Sequence, residues 1–544
     1  MCKRTEWRSR GTELAIRTGM STNKKSAAFN RRDFLKNSIA VGVVASLPQS
    51  AAATSNESRY PTSQQAWLQL LQKKRIPYDG LVTSLRSENH YECAVRGTLP
   101  ADLSGTLFRA GPGIFDRGNQ RRRMVIDADG MIRRFQIHNG KAVFTNRHVR
   151  TEKFVAEERA GRYIYPSFSM MIPTREALVT NSIMRIKNQA SVTAFTFGGR
   201  LFVTDEIQAL TELGIQSLQT RGEVKLTKDD GVKFMAHSRI TEFGGQKRLN
   251  LAAYNPVNGA LQVHTFNEDF KLVARSQEVK IPRSFHDWHA TPDFFVFLLP
   301  PLYMNNLGLA KAIAGLSTIA DAVEFRAGEH AQVLLIPRNN RPAKFMTLPE
   351  TLDSWHAVNA YQQNDSEVVF DFVASKRRAP VASNNSTMTK ITRGEMVQNG
   401  SLRGTGVYRA ILDYDKNHLS YGSDYFKVHG VEMPTIDSRR AGKAYENAYF
   451  IAGQEGLDNQ IVRLNVSTRE SERYDFGAGR FVTEPIFAPG AGDNGYLLSE
   501  VYSHVHKRSY LAVFDAKNLK QGPLAEVWLK HHLPIGFHGF WQQG

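Results

Sequence analysis

Cysteine is nearly absent from this chain of 544 residues, which contains only Cys2 and Cys93. Two cysteines, one of them at the very start, cannot build a disulfide framework or supply a cluster of thiolate ligands. Any metal that the protein binds must therefore be held by nitrogen and oxygen atoms.

Long apolar runs are missing as well. No uncharged apolar stretch reaches the ~18 residues that a helix needs to cross a membrane. The chain is 41% hydrophobic and 22% charged, which is typical of a globular protein rather than of a disordered or membrane-spanning one.

Acidic residues are outnumbered by basic residues, so the formal net charge is +18. Residues 1–53 carry seven of these net positive charges, and the other eleven are spread over the rest of the chain. A diffuse excess suits an anionic membrane surface as well as a polynucleotide. The sequence shows no basic stripe interleaved with aromatic residues and no zinc-finger or RNA-binding motif, so we expect no nucleic-acid partner.

The N-terminal segment contains the three parts of an export signal. Arg31 and Arg32 precede a modest apolar stretch at residues 39–47, and the small residues 51–53 follow it. This order predicts a twin-arginine signal over residues 1–53, removed when the folded protein is exported to the periplasm or thylakoid lumen. The alternative is an ordinary basic N-terminus, and Met20 would begin a leader of more conventional length.

Short alternating or apolar runs, each closed by Gly, Asn, Asp or Pro, recur from about Tyr60 onward. Examples are residues 200–205 (RLFVTD), 367–373 (EVVFDFV), 495–502 (GYLLSEVY) and 509–515 (SYLAVFD). Many short strands separated by turns predict a large all-β assembly, either a barrel or a propeller. No clean repeat period is visible, so these runs alone do not fix a number of blades.

Residues 298–323 break this pattern because they are apolar, rich in Ala, Leu and Ile, and nearly uncharged. Two interpretations fit such a segment. It is either a buried helix packed on the sheet, or an exposed apolar patch that dips into a membrane and admits a lipophilic substrate. The second interpretation predicts a peripheral membrane contact.

Four histidines lie in similar apolar or aromatic surroundings. They are His237 (in FMAH), His286 (in FHDW), His356 (in WHAVN) and His538 (in GFHGFW). One such histidine alone is more often a satisfied core residue than a metal ligand, but four of them favour a shared site. Imidazole suits iron, copper, zinc and nickel. Ligands so far apart in the chain converge only if the fold brings strands to a common axis, as a propeller does.

Several motifs beyond residue 96 are similar to those of a known family. They are residues 97–100 (GTLP), 105–113 (GTLFRAGPG), 129–131 (DGM), 146–151 (NRHVRT) and 530–534 (KHHLP), followed by His538 and Gly539. Together they resemble the carotenoid cleavage oxygenase family, and within it the bacterial apocarotenoid oxygenases. The resemblance implies an all-β fold, a seven-bladed β-propeller with a helical cap over the metal axis. Residues 96–544 would form the propeller, and residues 54–95 an N-terminal extension and cap segment.

The resemblance also implies a metal site. Ferrous iron (Fe2+) would lie on the axis, held by His237, His286, His356 and His538, with Glu206, Glu432 and Glu484 orienting three of these ligands. A ligating imidazole commonly donates its far N–H to a carboxylate, which fixes the tautomer and the orientation of the ring.

The implied reaction is the cleavage by dioxygen of a conjugated C=C bond in a carotenoid or apocarotenoid, which gives two carbonyl products. A lipophilic polyene and O2 would be the partners. Candidate substrate-binding residues are Trp355, beside a ligand, with Trp288, Tyr303 and Val192, the last near the open iron position. The three aromatic residues are also compatible with plain core positions. A shift of one residue would put Thr193 in the place of Val192.

The sequence departs from the family pattern at three places. Residues 121–128 (RRRMVIDA) replace an aromatic-rich acidic stretch, and Val192 stands where threonine is frequent. Asp205 precedes the first glutamate, where carotenoid cleavers often carry tryptophan and stilbene cleavers carry lysine. These departures concern the identity of the substrate and not the metal site.

Three alternatives stay open. The first is a stilbene- or phenylpropanoid-cleaving oxygenase of the same family, against which the missing lysine at position 205 argues. The second is a non-catalytic propeller that binds a lipophilic ligand. The third is a zinc hydrolase, although catalytic zinc normally has three protein ligands and one water. The weaker ligand candidates among the histidines are His289, His504, His506, His531 and His532.

Overall fold

The structure is a computed structural model that describes residues 64–174, 176–228, 232–376, 386–397, 404–422, 425–453, 458–492 and 494–544. The predicted export signal lies outside these residues. The description below concerns the large compact unit that contains the strands.

Seven antiparallel sheets form the body of the protein, and each is written here from its innermost to its outermost strand. Blade 1 consists of Gly539–Gln543, Gly105–Ile114, Asp129–His138, Lys141–His148 and Asn89–Glu92. Blade 2 consists of Thr193–Phe197, Arg200–Thr204, Leu210–Leu213 and Thr220–Val224. Blade 3 consists of Phe234–Phe243, Gln246–Asn255 and Ala260–Phe266, whose outer side pairs with Leu272–Arg275 and Val279–Lys280.

The other four blades follow the same plan. Blade 4 consists of Trp288–Ala290, Phe294–Leu299, Gln332–Pro337 and Lys344–Thr347, and blade 5 of Ala357–Gln362, Glu367–Ser375, Thr405–Asp413 and His418–Gly422. Blade 6 consists of Val431–Ile436, Asn447–Ala452, Gln460–Asn465 and Ser471–Asp475. Blade 7 consists of Ile486–Pro489, Gly495–Ser503, Arg508–Asp515, Ala525–Trp528 and Ala94–Gly97, and Arg480–Val482 also pairs with its second strand. Two small ribbons join Asp116–Arg117 to Gln120–Arg121 and Leu302–Met304 to Val323–Phe325.

The ring is closed by strands from the two ends of the described chain. Gly539–Gln543 pairs with Gly105–Ile114 in blade 1, and Ala94–Gly97 pairs with Ala525–Trp528 in blade 7. The predicted seven-bladed β-propeller is therefore confirmed. The blade strands begin at Asn89, so the propeller uses the last residues of the segment that the sequence assigned to an N-terminal extension.

Apolar side chains fill the space between neighbouring blades. One cluster, for example, joins Phe294 and Val333 of blade 4 to Phe370 and Leu412 of blade 5, and all of these side chains are buried. Equivalent clusters lie between the other neighbouring blades. Each buried Phe, Leu or Val side chain contributes about 1.5–3 kcal/mol, so the ring is held together mainly by these contacts.

The described part of the chain contains six α-helices. They are α1 (Gln64–Lys73), α2 (Glu152–Ala160), α3 (Ala177–Thr180), α4 (Asn306–Ala314), α5 (Ile319–Ala322) and α6 (Thr387–Thr392). Helices α2 and α3 lie in the connection from blade 1 to blade 2. Helices α4 and α5 join the second and third strands of blade 4, and α6 joins those of blade 5. All of these connections lie at the face where the innermost strands begin. Helix α1 packs against α6 at the same face, since Trp67 and Leu71 lie beside Gly394 and share a cluster with Ile391. These helices form the predicted cap. In the described residues, no helix is long and apolar enough to cross a membrane.

The apolar segment 298–323 is divided between strands and two helices: it includes the end of the second strand of blade 4, the ribbon strand Leu302–Met304, helices α4 and α5, and the first residue of the partner ribbon strand. Leu298 and Leu299 end the buried second strand of blade 4. On α4, which is capped by Asn305 and ends at Gly315 in a left-handed conformation, Leu309 and Ile313 are buried. Leu307 and Leu316 are 66% and 51% exposed. The segment therefore contains both buried and exposed apolar side chains.

The motif at residues 129–131 contains a glycine for a steric reason, and this gives a testable prediction. A Cβ atom on Gly130 would overlap the carbonyl oxygens of Gln189 and Ala190, which lead into blade 2. We predict that Gly130→Ala lowers the free energy of unfolding by about 3 kcal/mol or more, because both neighbours are backbone atoms that must shift. Thermal denaturation measures this effect. Gly328→Ala is the control, since nothing lies within 4 Å of its Cβ, and an equal loss in both variants would contradict the explanation.

Candidate metal centre

The four histidines singled out in the sequence lie at the beginnings of innermost strands. His237 is the fourth residue of the innermost strand of blade 3, and His286, His356 and His538 precede those of blades 4, 5 and 1. All innermost strands start at the same face, as the parallel bridge between Thr193 and His538 shows for blades 1 and 2. Residues distant in sequence are therefore brought to one point on the axis.

The four imidazole rings form one compact group. Their possible ligand atoms all lie within 4.8 Å of one another, and Nε2 of His237 is 3.0 Å from Nε2 of His286. His237, His356 and His538 are buried, and His286 is half-buried. In the part of the chain that the structure describes, no other histidine joins this group.

Three glutamates contact the far nitrogen atoms of three of these rings. Nδ1 of His356 donates to Oε2 of Glu432 at 2.6 Å, and Nδ1 of His538 donates to Oε1 of Glu484 at 2.8 Å. Nδ1 of His286 lies 2.5 Å from Oε1 of Glu206. A proton held on Nδ1 leaves the lone pair of Nε2 directed at the centre of the group, which is the form that binds a metal.

Every blade contributes one residue to this arrangement. Blades 1, 3, 4 and 5 carry the histidines. Glu206 follows the second strand of blade 2, Glu432 lies in the innermost strand of blade 6, and Glu484 precedes that of blade 7. The centre consequently exists only when the ring of blades is closed.

The protonation of the buried rings follows their surroundings. Burial, with the neighbouring imidazoles, holds the pKa of His237 well below its usual value. Burial also lowers the pKa of His538, although Glu484 opposes the shift. For His356 burial acts in the same direction, but the carboxylates of Glu432, Asp287 and Glu484 together outweigh it and raise the pKa. A metal ion at the centre would compete with the proton for each ring, because only a neutral imidazole ligates.

The four donor atoms fit a metal ion that is intermediate between hard and soft. Nε2 of His356 is buried and has no hydrogen-bond partner among the described residues, although its Nδ1 is engaged by Glu432. A buried nitrogen without a partner is costly unless something else satisfies it. Four imidazole nitrogens without a thiolate suit iron, copper, zinc or nickel. The group could therefore hold one such ion.

Two of the predicted substrate-binding residues lie beside the centre. The ring of Trp355 is half-buried and its centroid is 4.8 Å from that of His286. The carbonyl of Val192 accepts the backbone N–H of His538 at 3.0 Å, so Val192, which is buried, lies next to the fourth histidine. Thr193, the alternative at this position, forms the bridge with His538.

The other two predicted substrate-binding residues are placed differently. Trp288 is fully buried in the core between blades 3 and 4, and its indole N–H donates to the carbonyl of His237 at 3.0 Å. Tyr303 lies in the ribbon at the base of α4, where its hydroxyl oxygen accepts from Nε of Arg283 at 2.9 Å and its proton goes to Glu329. Trp288 therefore supports the backbone of a histidine-bearing strand, whereas Tyr303 joins two charged side chains.

Three charged residues around the centre were not singled out from the sequence: Arg109 and Asp287, which are buried, and Arg239, which is half-buried. Asp287 and Arg239 form an ion pair between ligand-bearing strands. Arg109 is fully buried and donates to the carbonyls of Phe537 and Glu484, both at 2.6 Å. A single charged residue carries no signal of burial in one sequence, although the position of Asp287 directly after a candidate ligand was a usable hint.

A closed β-propeller with four convergent imidazoles, three of them in contact with carboxylates, defines a class of metal-centred propellers. Comparison with known families shows which one: the family described as RPE65, the retinal pigment epithelial membrane protein, matches residues 82–543. The chain therefore belongs to the RPE65 and carotenoid cleavage oxygenase family, as the sequence motifs suggested.

Several characterised members of the family are similar over nearly their whole length. The apocarotenoid-15,15'-oxygenase of Synechocystis is 27% identical over 90% of this chain and 99% of its own. The lignostilbene-alpha,beta-dioxygenase isozyme III of Sphingomonas paucimobilis is 24% identical over 85% and 96%. The human beta,beta-carotene 15,15'-dioxygenase is 22% identical over 82% and 91%. A solved structure of a Synechocystis apocarotenoid oxygenase variant superposes with a TM-score of 0.78, at 24% identity over 89% of this chain and 100% of the other.

We predict that the carboxylate contacts strengthen metal binding. Replacing Glu432 by Gln removes the charge that holds the proton on Nδ1 of His356, so affinity for Co2+ should fall about 10–100-fold. Isothermal titration of the metal-free protein measures it. Glu212→Gln is the control, because Glu212 pairs with Arg200 and Arg221 in blade 2 and does not touch the histidines. Unchanged affinity in Glu432→Gln would refute the role.

Proposed function

We propose that the four histidines hold ferrous iron and that the protein is a dioxygenase. It would cleave a conjugated C=C bond of a carotenoid or apocarotenoid and release two carbonyl products. The observation that carries the proposal is the convergence of four imidazoles whose lone pairs meet on the axis, three of them in contact with a carboxylate.

The number and kind of ligands favour iron over a hydrolytic metal. Catalytic zinc normally has three protein ligands and a water, whereas four neutral nitrogens are available here. A ferrous ion bound in this way would supply the redox chemistry with dioxygen, which amino-acid side chains lack. One of the similar solved structures is a cobalt-substituted form of the Synechocystis apocarotenoid oxygenase, which supports a metal in this protein as well.

The protein's own residues would hold and shield the reacting groups. The histidines and glutamates are fixed to seven separate blades, so the ligand geometry does not need to rearrange during the reaction. Trp355 and Val192 offer apolar surface beside the ligands, which fits a polyene chain better than a polar substrate.

The substrate class is proposed from the relatives and from one residue. Among the relatives, one is named for apocarotenoids, one for beta-carotene and one for lignostilbene. At the position before Glu206, the Asp205 carboxylate accepts the backbone N–H groups of Gln189 at 2.6 Å and Glu206 at 2.9 Å. Burial raises the pKa of Asp205 to about 7. This residue offers no positive charge to a phenolate, which favours a carotenoid or apocarotenoid over a hydroxylated stilbene.

Product analysis tests the proposed reaction. The iron-loaded protein is incubated in air with a panel of apocarotenals, carotenoids and hydroxystilbenes, and products are separated by chromatography and mass spectrometry. We expect a matching pair of carbonyl products from one polyene, with no cleavage by His356→Ala, because that variant lacks a ligand.

The control for this experiment is another buried histidine. His264 lies in the third strand of blade 3, outside the four-histidine group, and its ring contacts Gln262. His264→Ala should retain the cleavage activity once the protein is folded. Iron bound at one per chain without cleavage of any panel member would refute the substrate class, and cleavage of a stilbene alone would establish the alternative.

We further propose that the exposed apolar side chains of the cap contact a lipid surface. Leu307 on α4 and Leu316 after it are exposed, and so is Met184 in the neighbouring turn. The two segments are joined by the Ser182 hydroxyl, which donates to the carbonyl of Ile313 at 2.7 Å. Adjacent exposed apolar residues on the face that carries the metal site fit a lipid surface that stores a polyene.

A comparison of two substrate preparations tests this contact. Replacing both Leu307 and Leu316 by Asp should lower activity on substrate in liposomes by at least about 10-fold, because two inserted leucines together stabilise the contact by about 3–6 kcal/mol. Activity on detergent-solubilised substrate should be unchanged. Leu272→Asp with Val273→Asp is the control, since these exposed residues lie on the outer strand of blade 3. Equal loss in both preparations would exclude a membrane role.

A further inference from the structure

Asp287 directly follows the candidate ligand His286, in the short stretch that leads into blade 4. Its Oδ1 lies 3.9 Å from Nδ1 of His237, whose other ring nitrogen, Nε2, is the one that faces His286, so the carboxylate stands outside the centre of the group. It is buried and has four polar neighbours. Its contacts reach the strands of three of the four candidate ligands.

The carboxylate of Asp287 binds two backbone N–H groups next to ligands. Oδ1 accepts the N–H of Trp288 at 2.7 Å, which fixes the peptide that follows His286. Oδ2 accepts the N–H of Ala357 at 3.0 Å, and Ala357 directly follows His356. One carboxylate thus joins the entrances of the innermost strands of blades 4 and 5.

The connection to blade 3 passes through Arg239, which stands two residues after His237. Its guanidinium pairs with Oδ1 of Asp287 and donates from Nε to the carbonyl of Trp288 at 2.5 Å. The indole of Trp288 donates in return to the carbonyl of His237. The strands that carry His237, His286 and His356 are therefore tied together by side-chain hydrogen bonds.

These ties are needed because the three strands belong to separate sheets. Each innermost strand is hydrogen-bonded to the second strand of its own blade, and the ladders do not run from blade 3 to blade 4 or from blade 4 to blade 5. Apolar packing between blades is not directional, and it tolerates small shifts of one blade against the next. Hydrogen bonds to a buried charged group fix both distance and direction.

We propose that Asp287 is a positioning residue that sets the register of three ligand-bearing strands and thereby the geometry and affinity of the metal centre. The inference rests on the part of the proposed function that assigns a metal to the four histidines. Asp287 does not act as a partner of a ligand ring, because its Oδ1 is 3.9 Å from Nδ1 of His237, beyond hydrogen-bond distance. It acts through the backbone, unlike Glu206, Glu432 and Glu484.

Asparagine cannot reproduce these contacts. Its single amide oxygen can replace only one of the two carboxylate oxygens. The NH2 group then faces either the N–H of Ala357, or the N–H of Trp288 together with the Arg239 guanidinium, and in both cases donor stands against donor. Arg239 would then be left without its counter-charge in a mostly buried site. We therefore expect the strand entrances to shift in Asp287→Asn even where the overall fold is retained.

Metal binding without substrate tests the inference. Wild-type protein, Asp287→Asn and a matched variant are freed of metal and titrated with Co2+, and both the affinity and the visible absorption spectrum of the bound ion are recorded. The matched variant is Asp371→Asn. Asp371 lies on the second strand of blade 5, is also buried, and pairs with the guanidinium of Arg409 at 2.7 Å. Unlike Asp287, it does not accept a backbone N–H next to one of the four histidines.

We expect Asp287→Asn to weaken Co2+ binding about 10–100-fold and to change the ligand-field bands in the spectrum. Asp371→Asn should lose thermal stability but keep the wild-type affinity and spectrum. A folded Asp287→Asn with wild-type affinity and spectrum would overturn the inference. Equal changes in both variants would also overturn it, since they would show only a general effect of losing a buried charge.

A second variant covers the case in which Asp287→Asn does not fold. The double variant Asp287→Asn with Arg239→Gln has no unpaired buried charge, and it still lacks the carboxylate. It should fold and show the same loss of affinity, whereas wild-type binding in this variant would refute the inference. Failure of the proposed cleavage reaction is a separate result, because Co2+ binding is measured without any polyene. Loss of Co2+ binding in His356→Ala shows that the ion binds at the four histidines. Wild-type protein that binds no Co2+ at these histidines would overturn the inference as well.

Discussion

The contact between an imidazole of the four-histidine group and a carboxylate on another blade is the interaction on which the geometry of the whole centre depends. Each such pair joins two elements that share no sheet: His356 of blade 5 to Glu432 of blade 6, His538 of blade 1 to Glu484 of blade 7, and His286 of blade 4 to Glu206 of blade 2. A buried carboxylate is costly unless it is paired and hydrogen-bonded. Glu484 is buried, and Glu206 and Glu432 are half-buried, so their contacts with the histidines offset this cost and favour the closed arrangement of the blades around the axis.

A second layer of buried charge keeps those partners in place. Arg109 donates to the carbonyls of Glu484 and Phe537, so the same guanidinium holds the carboxylate-bearing residue and the residue before His538. Arg133 pairs with Glu500 at 2.7 Å in the same region. Asp287 and Arg239 form a similar ion pair at blades 3 and 4, on the opposite side of the ring. Removing one member of such a buried network leaves an uncompensated charge, which typically costs 3–5 kcal/mol, so these residues constrain the centre although none of them belongs to the four-histidine group.

The four histidines of the centre can be predicted from the sequence more easily than the residues that surround them, and the reason is physical. Four histidines in apolar contexts indicate a shared site without any structure, because an unpaired polar group is unexpected there. The class of fold follows from short runs closed by turn residues, although the blade count came from the family motifs rather than from a visible repeat. The roles of Trp288 and Tyr303 do not follow, since an aromatic residue beside a ligand can face the cavity or the core, and local pattern does not distinguish the two sides. Asp287 and Arg239 become recognisable only when blades 3, 4 and 5 are placed side by side.

The order of the chain also links the metal centre to the closure of the ring. His538 stands directly before Gly539–Gln543, the strand that completes blade 1 by pairing with Gly105–Ile114. His538 therefore reaches the axis only when this last strand has docked, and its N–H then donates to the carbonyl of Val192, which directly precedes blade 2. An ion that binds four histidines stabilises the closed ring over any open form that offers three, by the general linkage between ligand binding and folding. Closure and metal binding thus favour each other, because each requires the same strand in the same place.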